Sequence, residues 1–106
     1  MPFIKLDQVN VKEIVPGFRA AFVHSETMTL AYWTIDAGAT LPEHQHMHEQ
    51  VSNIIEGEFE LSLDGETKRL DPGTVAVIPA NAAHGGTAIT ECRILDVFHP
   101  VREEYR

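Results

Sequence analysis

Two spaced segments gather the residue types that a divalent metal ion needs. The first runs Gly38-x5-His44-x-His46-x3-Gln50-x6-Gly57 and the second Gly73-x5-Pro79-x-Asn81-x2-His84. The chain has six histidines in 106 residues, and His44, His46, His48 and His84 fall inside these segments. On a strand, His44 and His46 would leave one face with Cα atoms about 6–7 Å apart, near enough to share one ion at about 2 Å. The third ligand is harder to place. On a straight strand Gln50 lies about 13 Å from His46, so the chain must bend or bulge through Met47-His48-Glu49. Alternation alone does not choose among His48, Glu49 and Gln50. His84 arrives only by tertiary closure: Pro79 ends a strand, residues 80–83 turn, and His84 opens the returning strand.

The run from Leu95 to Tyr105 is the other segment that could do chemistry. Asp96 and Phe98 share a face if it is a strand, and an inward face would put a carboxylate in the metal pocket. Pro100 would end that strand and turn Arg102 over the mouth. Taken by itself, a lone charge on a strand more often faces water, which would leave Asp96 and Arg102 on the surface.

The elements that must position these groups read as short strands. Breakers recur along the chain at Pro16-Gly17, Ser25-Glu26, Gly38, Pro42, Gly57, Asp64-Gly65, Asp71-Pro72-Gly73, Pro79-Ala80-Asn81 and Gly85-Gly86. Even punctuation of this kind predicts an all-β sandwich or barrel of about eight to ten strands. Residues 58–63 alternate, with Phe59, Leu61 and Leu63 on the buried face, and Asp64-Gly65 supplies a tight hairpin turn into 67–70. The β-branched run 74–78 predicts a strand covered on both faces. Residues 27–35 and 93–98 predict two further strands, and a short helical turn is expected near Val9–Ile14. The tail 102–106 reads as a helical turn or irregular chain.

Composition bounds the function classes. A chain of 106 residues with 43% hydrophobic content reads as one domain, residues 1–106, with a modest core. A formal charge of −8, from 16 acidic and 8 basic residues, argues against nucleic acid and anionic membrane surfaces as partners. It leaves room for a small anionic substrate held by one arginine. There is no transmembrane run and no leader pattern at the start. The single cysteine, Cys92, reads as a core residue in a reducing, cytoplasmic setting.

Together the two segments resemble the paired motifs of the cupin superfamily, small jelly-roll β-barrels that hold one metal at the centre. The match runs over residues 38–84. It implies His44, His46, Gln50 and His84 as ligands of one divalent transition metal (Zn, Ni, Mn, Fe or Co), and it is this resemblance that selects Gln50. Cupins usually carry Glu there. Three imidazoles and an amide leave the ion's charge uncompensated, which favours Lewis-acid work on an anion over redox chemistry. Asn81 stands where Gly is usual, and Asn tolerates left-handed geometry.

The closing Asp96-x-Phe98-x-Pro100-x-Arg102-Glu103-Glu104-Tyr105, with the run from Gln50 to Glu60, resembles the KdgF pectin-degradation family. That resemblance implies Asp96, Phe98 and Arg102 as active-site residues. It also implies ketonisation of 4,5-unsaturated monouronates, from pectin or alginate, to a linear 5-keto-4-deoxyuronate. A cupin dioxygenase and a non-catalytic, metal-dependent sugar or effector binder are the alternatives. Cupins commonly pair to hide sheet edges, so a homodimer is expected, with Phe3–Val15 as the segment that could cross to a partner.

Overall fold

The computed structural model describes residues 3–106; Met1 and Pro2, at the start of the stretch read for a leader, lie outside them. The described residues form ten strands: β1 Val11–Val15, β2 Phe18–His24, β3 Thr29–Ile35, β4 Thr40–His44, β5 Glu49–Glu56, β6 Phe59–Leu63, β7 Glu66–Leu70, β8 Val75–Ile78, β9 His84–Ala88 and β10 Cys92–His99. They make two antiparallel sheets packed face to face, in the order β1-β2-β3-β10-β5-β8 and β4-β9-β6-β7. This is the expected jelly roll. No helix among these residues is long and apolar enough to cross a membrane.

Strand alternation decides what enters the space between the sheets. In β3 the inward residues are Thr29, Ala31, Trp33 and Ile35, and in β10 they are Cys92, Ile94, Asp96 and Phe98. Register then aligns these across the large sheet. Trp33, Ile94 and Ile54 form one row, which with Phe18, Ile35, Phe59 and Leu70 builds an apolar half. Ala31, Asp96 and Ser52 form the next row, and Thr29, Phe98 and Gln50 the one after. The interior is thus apolar at one end and polar at the other, and the polar end is where β4 and β9 bring histidine.

Several local expectations are corrected. The turn near Val9–Ile14 is instead a 3-10 turn at Leu6–Gln8 followed by β1, which pairs with its own β2. The β8 run is not covered on both faces: Val75 and Val77 are 55% and 60% exposed while Ile78 is fully buried. β8 is an edge strand, and its β-branched residues reflect strand propensity more than burial. Gly85-Gly86 does not break the chain but lies inside β9, where a side chain at Gly86 would overlap the Phe59 ring and the Glu60 carbonyl. Phe59 is buried as expected, but Leu61 and Leu63 are only half-buried. The Asp64-Gly65 hairpin forms as read, both residues taking positive φ, and Asn81 is also left-handed at φ 65°.

Gly57 is the most constrained of the turn residues. Its φ is +84°, and a Cβ there would collide with the Glu91 carbonyl oxygen and the Thr90 hydroxyl. Gly65 has a similar φ of +82° but open space around it. Gly57→Ala should therefore cost roughly 3 kcal/mol or more, and Gly65→Ala roughly 1 kcal/mol. Urea unfolding of the two variants checks this, and equal losses would contradict the crowding at Gly57.

Candidate metal centre

His44 and His84 are cross-strand partners at the ends of β4 and β9, with ring centroids 4.4 Å apart. The pairing slips between Leu41 and His44, and this bulge re-aims His44 toward the interior. His46 does not share a strand with His44, as alternation had suggested, because β4 ends at His44. It sits in the connecting loop, in the chain bend that the spacing required, and its ring lies 4.8 Å from His84. Ligand nitrogens of His44, His46 and His84 all lie within 4.8 Å of one another, so the three could hold a metal ion. Three nitrogens around one ion at about 2.1 Å stand about 3–3.5 Å apart, so the rings would draw inward to share it.

Each ring is oriented in the same way. His44 Nδ1 donates to the Pro42 carbonyl at 3.0 Å, His46 Nδ1 to the His48 carbonyl at 3.0 Å and His84 Nδ1 to the Ala82 carbonyl at 2.9 Å. A carbonyl only accepts, so in the neutral rings the proton sits on Nδ1 and every Nε2 keeps a free lone pair. His84 Nε2 is buried with no hydrogen-bond partner among the described residues. His46 Nε2 faces Gln50 Oε1 at 3.1 Å, two acceptors with no proton between them. A cation resolves both problems, so the donor set fits a metal.

Gln50 is held from behind. Its Nε2 donates to Asp96 Oδ2 and to Ser52 Oγ, each at 3.1 Å, and the Ser52 hydroxyl donates to Asp96 Oδ1 at 2.5 Å. Both amide hydrogens are used, so Oε1 is the atom left to face the imidazoles. Glu49 points outward and is exposed, and the His48 ring lies 5.6 Å from His46, its Nδ1 without a partner among the described residues. Of the three residues that spacing left open, Gln50 alone meets the cluster.

Asp96 is buried, which the register enforces, so the outward reading of this carboxylate is overturned. Burial pushes its pKa up to about 6, against the opposing pull of the donors on Ser52 and Gln50, the Trp33 indole and the Arg102 charge. The Trp33 N–H favours the anion but falls outside hydrogen-bond geometry. Burial, with the nearby Arg102 and His84, lowers His46 to about 4. Burial also lowers His84.

β10 ends at His99, and the chain turns at Pro100 into a 3-10 turn at Glu103–Tyr105. Arg102 is buried, its guanidinium 4.9 Å from the Phe98 ring centroid and 4.3 Å from that of Tyr105. Its Nη2 donates to Glu104 at 2.9 Å, while Nε has no partner among the described residues. A cavity of about 80 Å³ is lined by His44, Gln50, His84, Asp96, Phe98 and Arg102 at its polar end and by Trp33, Ile54, Phe59 and Ile94 at the other. Six of the seven residues named from sequence line this cavity, and the seventh, His46, packs against His84, Phe98 and Gln50 beside it. Ser52, Thr29, His24 and Tyr105 were missed. Serine, threonine and histidine on strands carry no spacing signal, though the aromatic at 105 belongs to the closing motif.

Residues 31–98 match the cupin domain family. The pectin degradation protein KdgF of Dickeya dadantii is 31% identical over 102 residues, 93% of each chain. Among solved structures, KdgF from Halomonas superposes with TM-score 0.92 and 28% identity over 100% of this chain and 99% of its own. An RmlC-like cupin from Shewanella frigidimarina gives TM-score 0.94 and 29% identity, covering 100% and 96%.

The lowered pKa of His46 has a defined consequence for the metal-free protein. Between 6.5 and about 4 the folded state binds fewer protons than the unfolded state, so stability present above 6.5 is lost as pH falls toward 4. Asp96, raised from 3.8 to about 6, contributes with the opposite sign. The acid-side fall in Tm should accordingly shrink in His46→Gln, and an unchanged slope would contradict the burial argument. His84→Ala should weaken binding of Zn or Ni by about 100-fold or more, read by calorimetric titration.

Proposed function

The chain belongs to the cupin family and, within it, groups with KdgF, and from that premise we propose that it is a metal-dependent enzyme that ketonises 4,5-unsaturated monouronates. The observation that carries the reading is the bridge made by Gln50. One end of its amide holds a buried carboxylate of raised pKa, and the other meets His46, one of three clustered imidazoles. Arg102 stands in the wall of the same cavity. A proton carrier, a Lewis-acid site and a fixed cation are what an enol tautomerisation of an anionic sugar requires.

His44, His46, Gln50 and His84 would hold the ion, which supplies positive charge to stabilise oxygen anions without a redox change. The remaining steps belong to the chain's own groups. Ionised Asp96 takes the proton from the anomeric hydroxyl. C1 becomes a carbonyl, the C1–O5 bond breaks, and its electron pair stays on O5 as an enolate. Asp96 then returns the proton to C4 and the enolate collapses to the C5 ketone. One carboxylate thus carries one proton from O1 to C4, and nothing is oxidised or reduced. Arg102 pairs with the C6 carboxylate, while Phe98 packs on the sugar ring and keeps water from the enolate.

With one of these uronates as substrate, the fall in ultraviolet absorbance should run well above the spontaneous rate. Asp96→Asn should lower kcat by about 100-fold or more, and Arg102→Ala should raise KM about tenfold with a smaller effect on kcat. Because Asp96 must be ionised to take the first proton, kcat/KM should climb with pH through about 6, and that limb should vanish in Asp96→Asn. A wild-type rate equal to the spontaneous one would sink the proposal.

A further inference from the structure

Thr29 and His24 lie directly opposite one another on β2 and β3, and Thr29 also pairs with Phe98 on β10. Neither belongs to the metal motifs or to the closing motif. Thr29 is fully buried, so its hydroxyl needs partners inside the fold. It finds them in a directional chain. The Arg102 backbone N–H donates to Thr29 Oγ1 at 2.9 Å, and the Thr29 hydroxyl meets His24 Nδ1 at 2.8 Å. On the far side of the ring, His24 Nε2 meets the Tyr105 carbonyl at 3.1 Å.

That carbonyl can only accept, so in the neutral ring Nε2 carries the proton and Nδ1 accepts from Thr29. The chain is satisfied at every atom and needs no water. Its two ends grip the two ends of one turn, the N–H of Arg102 and the C=O of Tyr105. Between those points lies the segment that sets the guanidinium between the Phe98 and Tyr105 rings. Phe22 supports the same turn from below, stacked on Tyr105 at 4.4 Å. The 3-10 turn has no side-chain cap of its own.

We propose that Thr29 and His24 form a clip that fixes the closing turn and so positions Arg102 at the cavity. They are positioning residues, acting on a substrate carboxylate only through Arg102. This rests on the reading of Arg102 as the group that pairs with that carboxylate. A turn of a few residues without a side-chain cap frays readily unless tied down, and a cation displaced by about 1 Å loses its geometry toward a carboxylate.

The test uses the full chain with Thr29→Val, Thr29→Ser and His24→Ala. Thr29→Val keeps the shape and removes the hydroxyl. Loss of the clip should speed exchange of the Arg102 backbone amide at least about tenfold. It should also move the Arg102 Nε–H nuclear magnetic resonance away from its ring-shifted position. With the uronate, KM should rise about five- to tenfold while kcat stays within about twofold, and Thr29→Ser should restore all three readouts. Should Thr29→Val fail to fold, His24→Ala breaks the same chain at its half-buried end. Unchanged amide exchange and an unmoved Nε–H signal would overturn the inference, and so would a lost clip with unchanged KM in an active enzyme. An inactive wild type would count against the proposed reaction instead, with the amide and Nε–H signals still deciding whether the clip positions Arg102.

Discussion

The site depends on keeping one carboxylate inside the protein. Asp96 is buried in the interior, where an uncompensated anion is too costly to persist. Gln50 and Ser52 supply the compensation, one hydrogen bond to each carboxylate oxygen. Their doing so fixes more than Asp96. Because both Gln50 amide hydrogens are committed, its oxygen has a single direction left, toward the imidazoles. A glutamate at this position would set a second anion about 3 Å from Asp96, and the two could not both ionise. The amide that departs from the usual cupin ligand is therefore the residue that lets a buried carboxylate sit directly behind the three-histidine cluster.

The scaffold makes this arrangement possible through register. β10 lies between β3 and β5, so each inward residue of β10 has a neighbour on both sides. Asp96 falls between Ala31 and Ser52, one leaving room and the other donating. One residue pair away, Ile94 falls between Trp33 and Ile54, and the interior is apolar. A slip of one residue would turn Asp96 outward and Leu95 inward, destroying core and site together. Stability and chemistry are held by the same ladder. The bulge in β4 and the bend before β5 then do what regular strands cannot, bringing His44 and His46 to His84 at the start of β9.

The closing turn completes the wall. Arg102 is held by two aromatic faces and a partner carboxylate on Glu104, so its charge is oriented before any anion arrives. Burial holds His46 and His84 in their neutral form, and the nearby Arg102 charge adds to it. The same charge opposes the rise in Asp96. One arginine thus bears on the histidine cluster and on Asp96 alike.

By itself the sequence determined the all-β class and most strand positions, and it singled out seven residues that the fold gathers. Those features are local: alternation, turn chemistry at Asp64-Gly65, and motif spacings that the family resemblance converts into ligands. Tertiary structure decided the rest. Alternation puts Asp96 and Phe98 on one face but cannot say which face is inside, because that depends on pairing with β3 and β5. It cannot choose Gln50 over His48 or Glu49, since the bend that separates them is held from a distant turn, by the Asn81 N–H on the His46 carbonyl. Ser52, Thr29 and His24 were invisible for the same reason. Their partners lie 44, 73 and 81 residues away, and a hydrogen bond across that separation exists only once the sheets have closed.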